Sequence, residues 1–416
     1  MSDEKRELPR FSPARTPAFS PTRSAFRNRV PKQIRRALPV YLICIVVFLF
    51  ITNVGSLGGI RMPTISRREP SNFVKQKPLQ YGTYFPKKIW QSWKQDPLNF
   101  EERDLNTART WIAKNPHYRY EVLTDNNDIA YLEQFYGHGT AINRPDIVEF
   151  YQKINATIIR ADMLRYLIMY AEGGIYADID VEALRPIERF IPERYDEKDI
   201  QMVVSVEVDE PEFNDHPILG KKSQSFCQWT FMSKPRHPVM LKLVDGIMKW
   251  LKEISHQQRC HISEVVLDFD QVIEGTGPSA FTAAILEYMS KKVGKKVTWH
   301  NFHQLYESKL EAGILVLSVE AFAAGQGHSD SGNHNARGAL VKHHYHASLW
   351  PSKHPRFNHP VYGEVEKCNW DPACVKRWDD DIAAWGSLST EEQQAKINDK
   401  QTLDNLMLPL PLAIGV

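Results

Sequence analysis

The sequence contains neither of the glycine-rich patterns that bind phosphate through a loop, GxGxxG and GxxxxGK[ST]. A phosphate-bearing ligand would therefore need a divalent ion or cationic side chains in place of such a loop. No internal repeat is present, which excludes a repeat architecture. After residue 60 no uncharged run is long enough to cross a bilayer, which excludes a series of membrane spans there.

The composition is that of a globular protein with a basic start. The chain has 416 residues, 42% of them hydrophobic and 25% charged, enough for one large or two ordinary domains. The formal net charge is only +2, but residues 1–36 carry ten basic and three acidic side chains. This segment is rich in proline and serine and poor in aliphatic residues, so we expect an unfolded cytosolic tail.

Residues 37–60 contain no charged side chain, and the centre of this run is almost pure hydrocarbon. About 20 residues suffice to cross a bilayer. A cleavable signal peptide would start closer to Met1, so the pattern favours a transmembrane signal anchor. Because the positive charge precedes the span, the rest of the chain is expected in the lumen, in type II topology. The span also argues against nucleic acid as the partner of the basic tail.

Three segments follow the predicted anchor. Residues 61–84 combine three prolines with polar side chains and are expected to form a luminal stem. Residues 85–362 alternate strand and helix patterns and are expected to form one α/β domain, a mixed sheet flanked by helices. Residues 363–416 hold three tryptophans among polar side chains and are expected to form a C-terminal appendage.

The predicted elements of the α/β domain follow from hydrophobic periodicity and turn signals. The predicted strands cover residues 86–92, 118–123, 202–208 and 226–233. The predicted helices cover residues 99–115, 129–136, 147–154, 237–254 and 281–292.

An oxidising lumen would permit disulfides and glycosylation. Apart from Cys44 in the anchor, the cysteines are even in number: Cys227, Cys260, Cys368 and Cys374. A bridge between the last two would close a short loop, and a bridge between the first two a longer one. The sequence alone selects neither this pairing nor the other two, and four free thiols also stay open. The sequon at Asn155 could be modified in the lumen.

The most informative stretch is RADMLRYLIMYAEGGIYADIDV, residues 160–181. Apolar residues recur every three or four positions in its first half, which predicts a helix with one apolar face. Gly173-Gly174 supplies the positive φ that ends such a helix. Asp162 and Arg165 are three residues apart and therefore share a helix face, from which both could reach one pocket.

Residues 175–181 alternate apolar and polar side chains and predict a strand with Tyr176, Asp178 and Asp180 on one face. Neighbouring carboxylates repel each other, so a fold that keeps both ionised is expected to place a hard divalent cation beside them. An isolated Asp-x-Asp pair is usually a solvated turn. Its position at the end of an apolar strand after Gly-Gly is what favours a metal site.

Two motifs here, RxDxxRY from Arg160 and GGIYxDxD from Gly173, resemble the DXD region of glycosyltransferase family 32, which includes the fungal initiation-specific α-1,6-mannosyltransferases. The resemblance extends to FPKKIWQSW at 85–93, GPSAFT at 277–282 and HHY at 343–345. It thus covers most of the middle of the chain. It implies a GT-A-like, Rossmann-type catalytic domain, a nucleotide-sugar donor and a divalent metal.

The resemblance also implies roles for the motif residues. Asp180 would bind the metal directly, and Asp178 would reach the ribose or, through water, the metal. Asp162 and Arg165 would bind the donor sugar, with Arg160 nearby. Asp178, Asp180, Asp162 and Arg165 are therefore the expected catalytic set, with Mn²⁺ as the metal and GDP-mannose as the donor.

A third metal ligand is expected from the segment HHYH, because imidazole suits Mn²⁺ better than Mg²⁺. We choose His344, and His343 and His346 are the alternatives. The segment departs from the family pattern at Ala347, where glycine is usual, so the histidine that lies in the pocket stays open.

The remaining predicted contacts are aromatic or lie on the acceptor side. Trp90 and Tyr176 are expected at the donor. Trp90 could stack on the nucleotide base or pack in the core, and strand aromatics more often pack in the core. Gly277, Pro278 and Thr282 are expected to shape the acceptor side.

The expected activity is transfer of mannose from GDP-mannose to an N-glycan core in α-1,6 linkage, with retention, by a Golgi enzyme that could join a mannosyltransferase complex. The sequence identifies no carboxylate for a double displacement. A front-face reaction, in which the leaving diphosphate oxygen deprotonates the acceptor hydroxyl, is therefore expected. One alternative is a family member with another donor or a sphingolipid acceptor. Another is a non-catalytic, membrane-anchored luminal protein that binds Ca²⁺.

Overall fold

The structure is a computed structural model that describes residues 82–347 and 359–407. These residues belong to one compact unit, Gln76–Val416. The predicted basic tail, the signal anchor with Cys44 and nearly all of the stem lie outside the described residues. Within the described ranges, no helix has both the length and the hydropathy needed to span a membrane.

Strands and helices alternate along most of the described chain. The strands are β1 (Lys88–Trp93), β2 (Arg119–Thr124), β3 (Gly174–Ala177), β4 (Val181–Ala183), β5 (Met202–Asp209), β6 (Gln224–Phe226), β7 (Thr230–Ser233), β8 (Lys309–Glu311), β9 (Ile314–Leu317) and β10 (Val341–His343). The helices are α1 (Glu102–Lys114), α2 (Asp128–Tyr136), α3 (Pro145–Tyr151), α4 (Thr157–Ala171), α5 (Pro238–Gln258), α6 (Phe269–Gly275), α7 (Pro278–Val293), α8 (Val319–Ala323), α9 (Pro372–Ala384) and α10 (Thr390–Met407).

The main sheet is mixed, with the strand order β2-β1-β3-β7-β5-β9-β8, and β6 pairs with β5. Strand β1 is parallel to β2 and β3, and β5 is parallel to β9, whereas β7 is antiparallel to both β3 and β5. A second sheet, outside this path, consists of β4 and β10. The predicted mixed sheet flanked by helices is confirmed, as expected of a GT-A-like fold.

The main sheet separates two hydrophobic clusters, and successive side chains of β1 point into one cluster and then the other. Ile89 packs in the cluster on one face, and Trp90 packs in the larger cluster on the other. The sequence predicted that helix α4 has one apolar face. In the structure the helix is instead buried on nearly every side. It is enclosed because it packs against β1, β3 and β7 and also against helices α2 and α5.

Two predicted strands are each divided in the structure. β3 ends at Ala177, residues 178–180 turn, and β4 begins in the second sheet. Likewise, the predicted strand 226–233 is the end of β6 followed by β7. The predicted glycine stop is confirmed: Gly174 has φ +109°, and a Cβ there would lie 2.5 Å from the carbonyl oxygen of Lys88.

The strand directions bring several chain segments to one edge of the main sheet. Because β1, β3 and β5 run the same way, their carboxyl ends meet at this edge, where ligands of open α/β sheets bind. The antiparallel strand β7 begins at the same edge. Residues 178–180, 207–209 and 227–229 are therefore neighbours there.

The C-terminal segment carries one of the bridges that the sequence left open. Cys368 and Cys374 form a disulfide beside a small cluster that includes Val365 and Val375. Cys227 is buried and Cys260 partly exposed, and both are free thiols. The structure therefore contains the short bridge and not the longer one between Cys227 and Cys260.

Candidate active site

A cavity of about 330 Å³ lies at the edge where β1, β3 and β5 end. Its volume is within the range of small-molecule sites. The polar and charged residues of its lining include Asp162, Arg165, Asp178, Asp180, Glu207, Gln228 and His343. All four expected catalytic residues therefore border one cavity.

Asp178, Asp180 and His343 converge at one side of this cavity. One oxygen or nitrogen atom from each lies within 4.8 Å of the others. The turn after β3 presents the two aspartates, and the pairing of β10 with β4 places His343 opposite Val181. His343 Nε2 lies 3.2 Å from Asp180 Oδ1, and the backbone N–H of Ala347 donates to Asp180 Oδ2 at 2.9 Å.

The two aspartates have different electrostatic surroundings. Burial would raise the pKa of Asp180, but the hydrogen bonds from His343 and from the backbone of Ala347 lower that pKa to about 2. Burial raises the pKa of Asp178 despite the opposing effect of Arg165, and the charge of Asp180 raises it further. Asp180 is thus the carboxylate held most firmly in its ionised form.

Arg165 joins the helix motif to the turn. Its Nη2 lies 3.0 Å from Asp178 Oδ1 and 3.2 Å from Asp162 Oδ1. Its Nη1 donates to the carbonyl oxygen of Gln228 at 3.1 Å. Its Nε is buried and has no hydrogen-bond partner among the described residues. Because one guanidinium serves two carboxylates, little of its charge is available to neutralise a diphosphate.

Asp162 is buried and held by several donors besides Arg165. Thr276 Oγ1 donates to its Oδ2 at 2.7 Å, and Gln228 Nε2 lies 3.4 Å from its Oδ1. Burial raises the pKa of Asp162 to about 6, against the opposing effects of Arg165 and Thr276. This carboxyl is a rigid hydrogen-bonding group in the cavity wall.

The residues beside the turn fit a divalent ion. Two carboxylates and one imidazole are a suitable donor set for Mn²⁺. Ligand atoms on opposite sides of such an ion are separated by about 4–5 Å. The candidate ligand atoms of the three residues lie within 4.8 Å of one another, which agrees with that separation. His343 Nδ1 is buried and has no partner among the described residues. Asp178, Asp180 and His343 would therefore hold the ion.

The three histidines of the HHYH segment have three different carboxylate neighbours. His343 faces Asp180, His344 Nε2 lies 3.0 Å from Glu182 Oε2, and His346 Nε2 lies 2.7 Å from Asp104 Oδ1. This geometry favours His343, and not the expected His344, as the third ligand. Side chains alternate along β10, so His343 shares the inward face with Val341. The sequence could not show which histidine faces inward, because this depends on the register of β10 against β4.

Trp90 does not face the cavity. It is 3% exposed and its indole Nε1 donates to the carbonyl oxygen of Gly173 at 3.0 Å, so it is a core residue and does not stack on a base. Thr282 is also buried, and its hydroxyl joins the carbonyl of Pro278 to the N–H of Phe226. Of the predicted acceptor-side residues, Gly277 and Pro278 border the cavity.

Tyr176 supports the site from beneath. Its side chain is buried, its hydroxyl donates to Asp178 Oδ1 at 2.9 Å, and the Arg165 guanidinium lies 5.1 Å from its ring centre. It therefore fixes Asp178 and Arg165 and does not itself reach a ligand in the cavity.

Arg160 lies in a second cavity, of about 350 Å³, that also opens at the ends of β1 and β2. It pairs with Asp128 and packs over the ring of Tyr151. Trp93 borders the same cavity, and its Nε1 has no hydrogen-bond partner among the described residues. Ala347 borders both cavities, so they adjoin.

The sequon residue Asn155 is on the surface. It is exposed, and its side-chain amide donates to the backbone oxygen of Ser263 at 3.0 Å.

Three residues of the site were missed by the sequence reasoning: Glu207, Gln228 and Thr276. Glu207 carried a recognisable signal, because it is a charged residue within the mostly apolar strand β5. Gln228 and Thr276 carried none, since amide and hydroxyl residues in loops are common. Burial raises the pKa of Glu207 despite the hydrogen bond that it accepts from Trp229.

An aspartate pair thus follows strand β3 of the mixed sheet, and a buried Asp–Arg pair lies beside it. Residues 101–197 match the family described as glycosyltransferase sugar-binding region containing DXD motif. The chain belongs to this family.

Two curated relatives are fungal enzymes named initiation-specific alpha-1,6-mannosyltransferase. The chain is 32% identical over 274 residues to that of Schizosaccharomyces pombe, an alignment of 65% of each chain. It is 31% identical over 268 residues to that of Candida albicans, covering 60% of this chain and 68% of the relative. The match thus spans just under two thirds of the first relative. The solved PaToxG glycosyltransferase has a TM-score of 0.35 and 19% identity, covering 53% of this chain and 75% of that chain.

Proposed function

We propose that this protein is a family 32 mannosyltransferase that transfers mannose from GDP-mannose to an N-glycan core in α-1,6 linkage, with retention. We propose further that it acts in the Golgi lumen as a type II membrane protein, within a mannosyltransferase complex. The names of the two fungal relatives support the sugar and the linkage. The observation that carries the proposal is the convergence of Asp178, Asp180 and His343 beside the Asp162–Arg165 pair.

Each part of the donor has a suitable place. The diphosphate lies beside Asp178, Asp180 and His343, where a bound Mn²⁺ would offset its charge and stabilise the leaving group. The mannose hydroxyls bind in the main cavity, beside the Asp162–Arg165 pair that borders it. The nucleotide occupies the adjoining cavity, which Trp93 and Arg160 line.

The chain's residues position the groups that take part in the reaction. Tyr176 and Arg165 fix Asp178. The His343 side chain and the backbone N–H of Ala347 fix Asp180. The acceptor enters past Gly277 and Pro278. Its hydroxyl attacks from the face that the diphosphate leaves and passes its proton to the departing oxygen, which retains the configuration.

A donor panel tests the proposal. The purified protein is incubated with GDP-mannose, UDP-galactose and other labelled nucleotide sugars, with Mn²⁺ or EDTA, and with a high-mannose glycan or a sphingolipid acceptor. We expect Mn²⁺-dependent transfer from GDP-mannose to the glycan, and linkage analysis should give α-1,6. Transfer from UDP-galactose or to the sphingolipid alone would contradict the specific proposal. Metal binding without hydrolysis or transfer from any donor would favour a Ca²⁺-binding protein.

Topology and location are tested separately. Protease protection of a C-terminally tagged chain in sealed Golgi vesicles should show a protected tag, and purification of the tagged chain should recover other mannosyltransferases. Digestion of the tag in intact vesicles would contradict the luminal assignment.

A further inference from the structure

Glu207 reaches the main cavity through an irregularity in β5. The pairing of β5 with β6 joins Val206 to Phe226 and Val208 to Ser225, so two residues advance along β5 for one along β6. Glu207 is the extra residue of this β-bulge. Bulges redirect side chains and are frequent beside active sites. The bulge therefore explains how a carboxylate in an apolar strand comes to line the cavity that holds Asp178 and Asp180.

Neutral donors hold the Glu207 carboxylate. The indole Nε1 of Trp229 donates to its Oε1 at 2.7 Å, and the hydroxyl of Ser225 donates to its Oε2 at 3.3 Å. Both contacts fix the position of the group without neutralising it. Trp229 is itself fixed, since its ring lies 4.5 Å from the ring of His343.

Glu207 differs from the other acids of the cavity because it has no cationic partner among the described residues. Asp162 and Asp178 pair with Arg165, and Asp180 pairs with His343. Among the described residues, no lysine, arginine or histidine nitrogen lies within ion-pair distance of the Glu207 carboxylate. A half-buried carboxylate without a cation is unfavourable in a resting protein. Such a group stabilises a positive charge that appears only during a reaction.

The reaction proposed above creates such a charge. The bond between the anomeric carbon and the diphosphate oxygen breaks, and the electron pair leaves with the diphosphate. The sugar becomes oxocarbenium-like until the acceptor oxygen bonds to the same carbon and its proton passes to the leaving group. No bond to a protein atom forms in this sequence.

We propose that Glu207 is a catalytic residue whose carboxylate faces the donor sugar and stabilises the positive charge at its anomeric carbon. The inference rests on the proposed function and adds a role for a residue outside the DXD and Asp–Arg motifs. It needs no covalent intermediate and therefore agrees with the front-face reaction.

Charge and size can be separated by substitution. Glu207→Gln removes the charge but can still accept the hydrogen bond from Trp229, whereas Glu207→Asp keeps the charge and shortens the side chain. Glu311→Gln, on β8 away from the cavity, is the matched control. The first measurements are kcat and KM for GDP-mannose, and the affinity for GDP in the presence of Mn²⁺ by calorimetry. The second is the affinity for deoxymannojirimycin, a mannose analogue that is cationic at neutral pH. It is measured with GDP and Mn²⁺ present.

We expect Glu207→Gln to lower kcat by about 10²–10³-fold with GDP affinity within about threefold of wild type. Its affinity for the cationic analogue should fall at least about tenfold, and Glu207→Asp should retain more of both properties. Wild-type kcat in Glu207→Gln would overturn the inference. So would a parallel loss of GDP binding and thermal stability in both Glu207 variants, which would indicate a structural role. Absence of transfer by the wild-type protein would instead overturn the proposed function.

Discussion

His343 Nε2 lies 3.2 Å from Asp180 Oδ1, although the two residues are far apart in the sequence. They meet because β10 pairs antiparallel with β4, which begins directly after Asp180. A shift of one residue in this pairing would bring a different side chain to the aspartates. The strand register therefore decides which histidine can act with the DXD motif.

Alanine substitution of neighbouring histidines tests this assignment. His343→Ala should weaken Mn²⁺ binding in the presence of GDP by about 10–100-fold, because one ligand is lost. His344→Ala should leave it near wild type, since His344 contacts Glu182 on the surface. Calorimetric titration of Mn²⁺ measures both. A larger effect of the His344 variant would contradict the register argument.

Asp180→Asn separates the metal role of this aspartate from its structural role. We expect Mn²⁺ binding to be lost and donor hydrolysis to fall by about 10²-fold or more, because a neutral amide is a poor ligand for a hard cation. Without metal, the free energy of unfolding should fall by only about 1 kcal/mol, because asparagine can still accept one of the two hydrogen bonds.

The measurements for Asp180→Asn are Mn²⁺ calorimetry, donor hydrolysis, and urea unfolding in EDTA. Glu182→Gln, two residues along the chain and outside the cavity, is the matched control and should behave as wild type. Unfolding of the Asp180 variant without metal would show that this carboxylate is chiefly structural.

The sequence predicted the elements well where one physical cause dominates. Hydrophobic alternation identified the strand at 202–208, and Gly173-Gly174 identified the end of α4, since only glycine accepts that backbone there. It failed where tertiary context decides. Residues 175–181 alternate as one strand would, but the chain turns at Asp178 and enters a second sheet. Local periodicity carries no information about which sheet a strand joins.

The same limit applies to the site. The Asp–Arg and DXD motifs lie within twenty residues of each other, so their proximity could be inferred from local geometry. Glu207, Gln228 and His343 reach the cavity only through strand order, a bulge and long-range register. Trp90 has the residue type of a base-stacking side chain, and only its burial excludes that role.

Removal of the Cys368–Cys374 bridge should destabilise only the C-terminal segment. The double serine variant should lose about 2 kcal/mol there, as expected for a short closed loop. Donor hydrolysis should stay near wild type, because the cluster beside the bridge does not border the cavity.

Hydrogen exchange of residues 363–407 and a hydrolysis assay measure these effects. Cys260→Ser removes a free thiol and is the control. Loss of hydrolysis in the double variant alone would show that the segment supports the active site.

His237 should make folding stability depend on pH. It precedes α5, is 4% exposed, and neither ring nitrogen has a partner among the described residues. Burial lowers the pKa of His237 from 6.5 to about 4, so the unfolded chain binds a proton that the folded chain excludes. The resulting stability is complete above about pH 6.5 and is lost as the pH falls towards 4. At pH 5 the loss amounts to about 2 kcal/mol.

His237→Leu replaces the ring with an apolar side chain of similar size and removes this titration. Urea unfolding at several pH values should show a shallower decline between pH 6.5 and 4.5 in the variant than in wild type. At pH 7.5 the variant should be at least as stable as wild type, because two unpaired polar atoms leave the interior. Parallel declines in the two proteins would show that His237 is protonated in the folded state, which requires a polar partner or water beside its ring.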